Sequence, residues 1–100
     1  MSLPRKNRQS AVIYPTHTVT DRRGNDVRVA NMDAPIPVKA TFSPQSKANV
    51  YQMLIDTLPA GVDTYSRVEW RGDQWDILFR PAPHNGTRQT RHWTLEIQKR

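Results

Sequence analysis

One hundred residues suffice for one domain, and with apolar residues at 36% of the chain its core has to be lean. Fifteen basic residues against nine acidic ones give a formal net charge of +6, which favours an anionic partner without specifying which one. The lack of cysteine excludes disulfides and cysteine-ligated metals, and no apolar stretch is long enough to span a membrane or to form a signal core within the opening MSLPRKNRQS. The expectation is a soluble chain, intracellular when made, with at least one weakly folded segment and some dependence on neighbours for stability.

Residues 1–9 read as a flexible basic arm, in which Arg5, Lys6 and Arg8 stand among polar residues and order against a partner or nucleic acid. Residues 10–100 form the folded domain. The run AVIYPTHTVT is rich in β-branched residues but is interrupted by Pro15, which cannot donate to a ladder. It predicts an edge strand, or two short strands with a kink. The turn cluster at 21–26 and the alternation of Val27, Arg28, Val29 and Ala30 then make residues 16–30 a hairpin.

Residues 31–37 hold Asp33, Pro35 and Pro37 and read as an extended connection. Val38, Ala40 and Phe42 alternate with Lys39 and Thr41 as a short strand over 38–42, followed by the polar loop SPQSKAN at 43–49. The run VYQMLIDTL at 50–58 fits a helical stripe as well as a strand. Its length, the terminating Pro59 and its strand neighbours favour strand. Residues 59–61 turn the chain into residues 62–65, a single helical turn at most.

The richest stretch is 66–98, which carries all three tryptophans. Val68 and Trp70, then Trp75, Ile77 and Phe79, then Trp93, Leu95 and Ile97 mark the inner faces of three strands by period-two alternation. Gly72-Asp73 suits a two-residue turn with glycine first, setting Trp70 opposite Trp75 and Val68 opposite Ile77. That register also opposes Glu69 and Asp76 on the outer face, a small cost that either Arg67 and Arg71 or a cation from another subunit offsets. Between the second and third strands, residues 80–89 form a stiff, polar connection that either docks a partner, through Arg80, Pro81, Pro83, His84, Asn85 and Arg88, or merely joins the two strands. The whole predicts an all-β fold, a small six- to seven-stranded barrel with short loops.

Chemistry is sparse. His17, His84 and His92 have no metal-ligand spacing, the acids are scattered, and there is neither a nucleophile elbow nor a phosphate-binding glycine loop. No cofactor and no small-molecule substrate are expected. A ribonuclease-like set of His92, Arg91 and Glu69 has no support in spacing. The tryptophans lie on the regular apolar face, which assigns them to the core and not to a base-stacking platform.

The residues Val68-Glu69-Trp70-Arg71-Gly72, Trp75-Asp76, the loop 81–88 and the ending Thr90-Arg91-His92-Trp93 together resemble one phage family. Tyr14-Pro15 and the Asp21…Gly24-Asn25 turn agree more loosely. The family is the head-to-tail stopper, or head-closure, proteins of long-tailed phages infecting actinobacteria. The resemblance implies a non-enzymatic virion protein of the head–tail connector, assembled in the host cytoplasm as a homo-oligomeric ring. An adaptor ring lies above it and a tail terminator or tail tube below. Packaged double-stranded DNA fills its channel, and no membrane is involved. In such proteins a loop projects into the channel. By position that loop is Ser43, Pro44, Gln45, Ser46, Lys47, Ala48 and Asn49, with Lys39 and Lys47 facing DNA phosphates. The alternative is a monomeric small-barrel module that binds single-stranded nucleic acid; a small basic nuclease ranks third.

Overall fold

The computed structural model describes residues 8–84 and 92–100. Nine strands follow one another: β1 (Gln9–Tyr14), β2 (Thr16–Thr20), β3 (Asp26–Ala30), β4 (Ile36–Pro44), β5 (Val50–Ile55), β6 (Arg67–Trp70), β7 (Asp73–Ile77), β8 (Ala82–His84) and β9 (His92–Lys99). No helix occurs among the described residues. The expected all-β barrel is present. Strands β5, β4, β1, β6, β7 and β9 pair antiparallel in that order, and β5 pairs with β9 to close the barrel. Strand β8 adds to β9 beyond the end of β7, over residues 92–94. Closure leaves the barrel no long open edge.

The alternation reads out as burial. Ile13, Met53, Ile55, Val68, Leu95 and Ile97 are fully buried, and Ala11, Ala40, Trp70, Trp75 and Ile77 complete most of the core. Each large side chain in this set stabilises the fold by about 1.5–3 kcal/mol relative to exposure. The aromatic end is tightly arranged. Phe42 stacks on Trp70 at 3.8 Å, Tyr51 meets Trp70 and Trp75 edge-on, and the Trp75 indole donates to the Trp70 carbonyl at 3.0 Å. Of the 50–58 run, residues 50–55 form strand β5, paired with β9 from Val50↔Gln98 to Ile55↔Trp93, and residues 56–58 lie beyond the strand.

Prolines divide the chain where their missing N–H dictates. Pro15 separates β1 from β2, and its carbonyl accepts the Asn31 amide at 2.7 Å. Strand β4 is longer than the alternation predicts. Its residues 36–40 pair with β1 and residues 41–44 pair with β5. Pro37 is tolerated because that half of β4 has a strand on one side only. Ser43 and Pro44 thus belong to the strand, and the loop proper is residues 45–49.

The β6–β7 turn corrects the expected register. Its two central residues are Arg71 and Gly72, with φ of 57° and 77°. This is the type I′ geometry, with both central residues left-handed. Trp70 consequently faces Asp73, Val68 faces Trp75, and Glu69 faces Gln74. Asp76 lies opposite Arg67 and not opposite Glu69, so the anticipated carboxylate repulsion does not arise. The partners shift by two residues, which keeps Val68, Trp70, Trp75 and Ile77 on the inner face. Phe79 departs from expectation as well. Strand β7 ends at Ile77, and the Phe79 side chain is 62% exposed.

Candidate functional site

Strands β2 and β3 form a separate two-stranded ribbon outside the barrel. Their pairing puts His17, Val19, Val27 and Val29 on one face and Thr18, Thr20, Asp26 and Arg28 on the other. The three valines are 36–38% exposed. At the tip, the Asp21 carboxylate accepts the backbone amides of Arg23 and Asn25, both at 2.9 Å, which leaves Arg22 and Arg23 exposed beyond it. The root is held to the 61–63 segment. The Thr16 amide and hydroxyl both donate to the Gly61 carbonyl, and Arg28 pairs with Asp63 at 2.6 Å. Gly61 has a φ of 79°, and a Cβ there would touch Pro15 at 3.5 Å, so glycine suits this crossing.

The site residues expected from sequence fall in different places. Residues 44–49 are exposed at the β4–β5 turn, with Ser43 half-buried before them. The turn is compact. Gln45 donates to the Val50 carbonyl at 3.0 Å, and Asn49, at a φ of 63°, accepts the Lys99 amide at 2.9 Å. Lys47 is exposed on this turn. Lys39 lies roughly 16 Å away by strand rise, in the half of β4 that pairs with β1, and donates to the Ser10 hydroxyl at 2.6 Å. The two lysines are therefore not one cluster.

Of the stiff connection, Arg80 is exposed, Pro81 is buried, and Ala82 to His84 form β8 with Pro83 exposed. Asn85 and Arg88 lie outside the described residues, as do Arg5 and Lys6 of the basic arm. Arg8 forms an ion pair with Asp56, just past the end of β5. Trp70 and Trp75 are 2% and 3% exposed, so neither presents an open ring face for base stacking, and Trp93 packs partly buried on the core. Among the described residues no three His, Cys, Asp or Glu side chains gather as a metal site. Arg91 of the ribonuclease-like set also lies outside the described residues. Glu69 is held by the Tyr14 hydroxyl at 2.9 Å and by Gln74 at 3.4 Å. That bond, then burial and the carboxylate's charge, raise the Tyr14 hydroxyl above its ordinary value of 10.0.

One further feature is not apparent from the sequence. An open groove of about 370 Å³ is bounded by residues 10–12, 37–39 and 69–72. Val12, Pro37 and Val38 contribute apolar surface, while Lys39 and Arg71 supply cations. The Arg71 guanidinium lies 4.4 Å over the Trp70 ring and 5.9 Å from that of Tyr51. The signal that could have found it was the arginine beside Gly72 in a two-residue turn. No family model matches the chain, and no curated protein matches it significantly.

Proposed function

We propose that this chain is a structural subunit of a phage head–tail connector, a head-to-tail stopper that assembles as a ring and performs no catalysis. The observation that carries the reading is the β2–β3 ribbon. A closed barrel offers few edges for assembly, whereas a two-stranded ribbon is marginal alone in water and gains stability when its valine face is covered. A side-by-side contact of this kind is heterologous and closes into a ring when the rotation per subunit permits. The combination of motifs in residues 68–93 supports the same reading, and the charge of +6 suits a channel filled with DNA.

In this reading the 43–49 turn faces the channel and presents Lys47 to the phosphates. Only residues 45–49 lie beyond the paired strands, so closure comes from several copies acting together. The 80–88 connection and the basic arm meet the adaptor above or the tail below.

Native mass spectrometry tests this on the purified chain, alone and mixed with the adaptor and tail-terminator proteins of the same virion. A discrete multi-copy ring on mixing is the expected result. A monomer that ignores both partners yet binds single-stranded oligonucleotides, with affinity falling steeply in salt, would replace it with the nucleic-acid-binding module.

A further inference from the structure

The hydrogen bonds of the β2–β3 ribbon show which of its residues face outward along its two edges. The Asn31 amide donates to the Pro15 carbonyl at 2.7 Å, and the Asp21 amide to the Asn25 carbonyl at 2.9 Å. Bonded and non-bonded pairs alternate along an antiparallel ladder. The bonded pairs are therefore His17–Val29 and Val19–Val27. Thr16–Ala30, Thr18–Arg28 and Thr20–Asp26 turn their main-chain groups away from the ribbon. The Thr16 amide fits this pattern, since it donates sideways to the Gly61 carbonyl at 2.9 Å. Among the described residues, the amides of Thr18 and Thr20 on β2, and of Asp26, Arg28 and Ala30 on β3, have no acceptor.

These edges are unguarded. Where the barrel leaves strand edge, on β8 and on the first half of β4, Pro83 and Pro37 stand in it without an N–H to offer. The ribbon runs without proline or bulge, and its register is uninterrupted over five pairs. Its two charged residues, Asp26 and Arg28, are already engaged by Thr20 and Asp63. An exposed edge of this kind is a template for another strand.

The two edges also fit each other. On both strands the outward residues lie on the polar face, opposite His17, Val19, Val27 and Val29. When β3 of one copy meets β2 of another, polar residues face polar residues and the valine face continues unbroken. Two β3 edges meeting would leave both β2 edges open, whereas unlike edges satisfy both and repeat around a ring.

We infer that β3 of one subunit pairs antiparallel with β2 of the next, joining the ribbons edge to edge into one sheet. This rests on the ring reading above and specifies its contact. In the register that repeats the ribbon's own, Arg28 faces Thr18 of the next copy and Asp26 faces its Thr20. Each pair exchanges two main-chain bonds. The Asp26 carboxylate accepts its own Thr20 hydroxyl through Oδ1 at 3.0 Å, which leaves Oδ2 for Thr20 of the next copy. Val27 lies beside the next copy's Val19, so the exposed valines cover one another's flanks.

The test exploits the lack of cysteine in the chain. Val19→Cys and Val27→Cys are made as separate chains, mixed at the concentration of an NMR sample and oxidised. Between copies these positions form a non-hydrogen-bonded pair, the closer kind, at a spacing that a disulfide accepts. Separate chains exclude a disulfide within one ribbon. The expected result is a covalent dimer in the mixture and little in either chain alone. Thr18→Pro in the Val19→Cys chain should slow its formation about tenfold or more, because an outward N–H is lost and its acceptor is stranded. Thr18→Ala keeps that N–H and should cross-link at the parent rate. Proline at this position spares the ribbon's own ladder, and retained NMR signals of the Val27 and Val29 amides show that the ribbon persists.

No cross-link in the mixture, equal slowing by proline and alanine, or an equally abundant dimer from Val27→Cys alone would each overturn the proposal. Failure of the ring reading looks different: the mixture cross-links, yet no ring forms with the adaptor and tail-terminator proteins. Ring assembly by chains that never cross-link would keep that reading and reject the edge pairing.

Discussion

The guanidinium of Arg71 lies 4.4 Å from the centroid of the Trp70 ring, and the backbone that carries it there is left-handed. Two effects of similar size oppose each other at this residue. The left-handed conformation costs an arginine roughly 1 kcal/mol, and an exposed cation–π contact returns about 0.5–1 kcal/mol.

Arg71→Asn should therefore leave stability within about 1 kcal/mol of the parent in urea denaturation, because relief in the turn offsets the lost contact. Arg71→Val should cost clearly more, since it loses the same contact and places a β-branched residue at a positive φ. Equal stability of the two variants would show that the turn is not left-handed in solution.

Tyr14 and Glu69 make a pH-dependent pair across β1 and β6. The tyrosine is raised above 10.0, chiefly by its hydrogen bond to the Glu69 carboxylate. A group whose folded value exceeds its unfolded value adds stability that is complete below the unfolded value and is lost as pH rises through the folded one. The contribution is thus intact at neutral pH and fades above about pH 10. Tyr14→Phe should flatten the alkaline fall in stability and lower neutral stability by about 1 kcal/mol. Denaturation curves at pH 7 and in strong alkali check both; an unchanged alkaline slope would show that the bond is absent.

The inner face of the barrel was legible because it depends on a period of two. Val68, Trp70, Trp75, Ile77, Leu95 and Ile97 alternate in sequence and are all buried. The hairpin at 16–30 was legible through Pro15 and the Asp21…Gly24 turn. The β6–β7 register was not, because Gly72 fits either central position of a two-residue turn and arginine is a rare partner there. Phe79 continues the alternation past the end of pairing. The Leu78 amide still reaches the Glu96 carbonyl at 2.8 Å, and the chain then leaves the sheet. The groove left only the Arg71-Gly72 turn as a signal. It joins residues 10–12, 37–39 and 69–72, which the pairing of β1 with β4 and β6 brings side by side. Lys39 and Lys47 were joined only by the channel loop that the family resemblance implies, whereas strand β4 carries them apart and sets Lys39 beside Ser10.

Barrel closure rests on the seam between β5 and β9, where Met53 faces Leu95 and both are fully buried. Leu95→Ala leaves a cavity at the seam and should cost about 2–5 kcal/mol. For a chain with so lean a core that is a large share of total stability, on the order of 5–15 kcal/mol. The same change at the exposed Val27 of the ribbon should fall below about 1 kcal/mol in the isolated subunit. Comparable losses at both sites would mean that the ribbon's valines are covered in solution.

The ribbon and the barrel should separate in hydrogen exchange. Strands β2 and β3 pair with each other and with no barrel strand, and their anchors are the bonds to Gly61 and the Arg28–Asp63 pair. Elements with few buried contacts open locally at low free energy, while core strands open only with the whole fold. Arg28→Gln removes an ion pair on a half-exposed side chain, worth about 0.2–1 kcal/mol. Ribbon amides should then exchange up to about fivefold faster, while those of β5 and β9 keep their parent rates. Faster exchange throughout β5 and β9 would instead make ribbon and barrel one cooperative unit. A partner covering the valine face should act in the opposite sense, slowing the ribbon amides first because they start from the lowest protection.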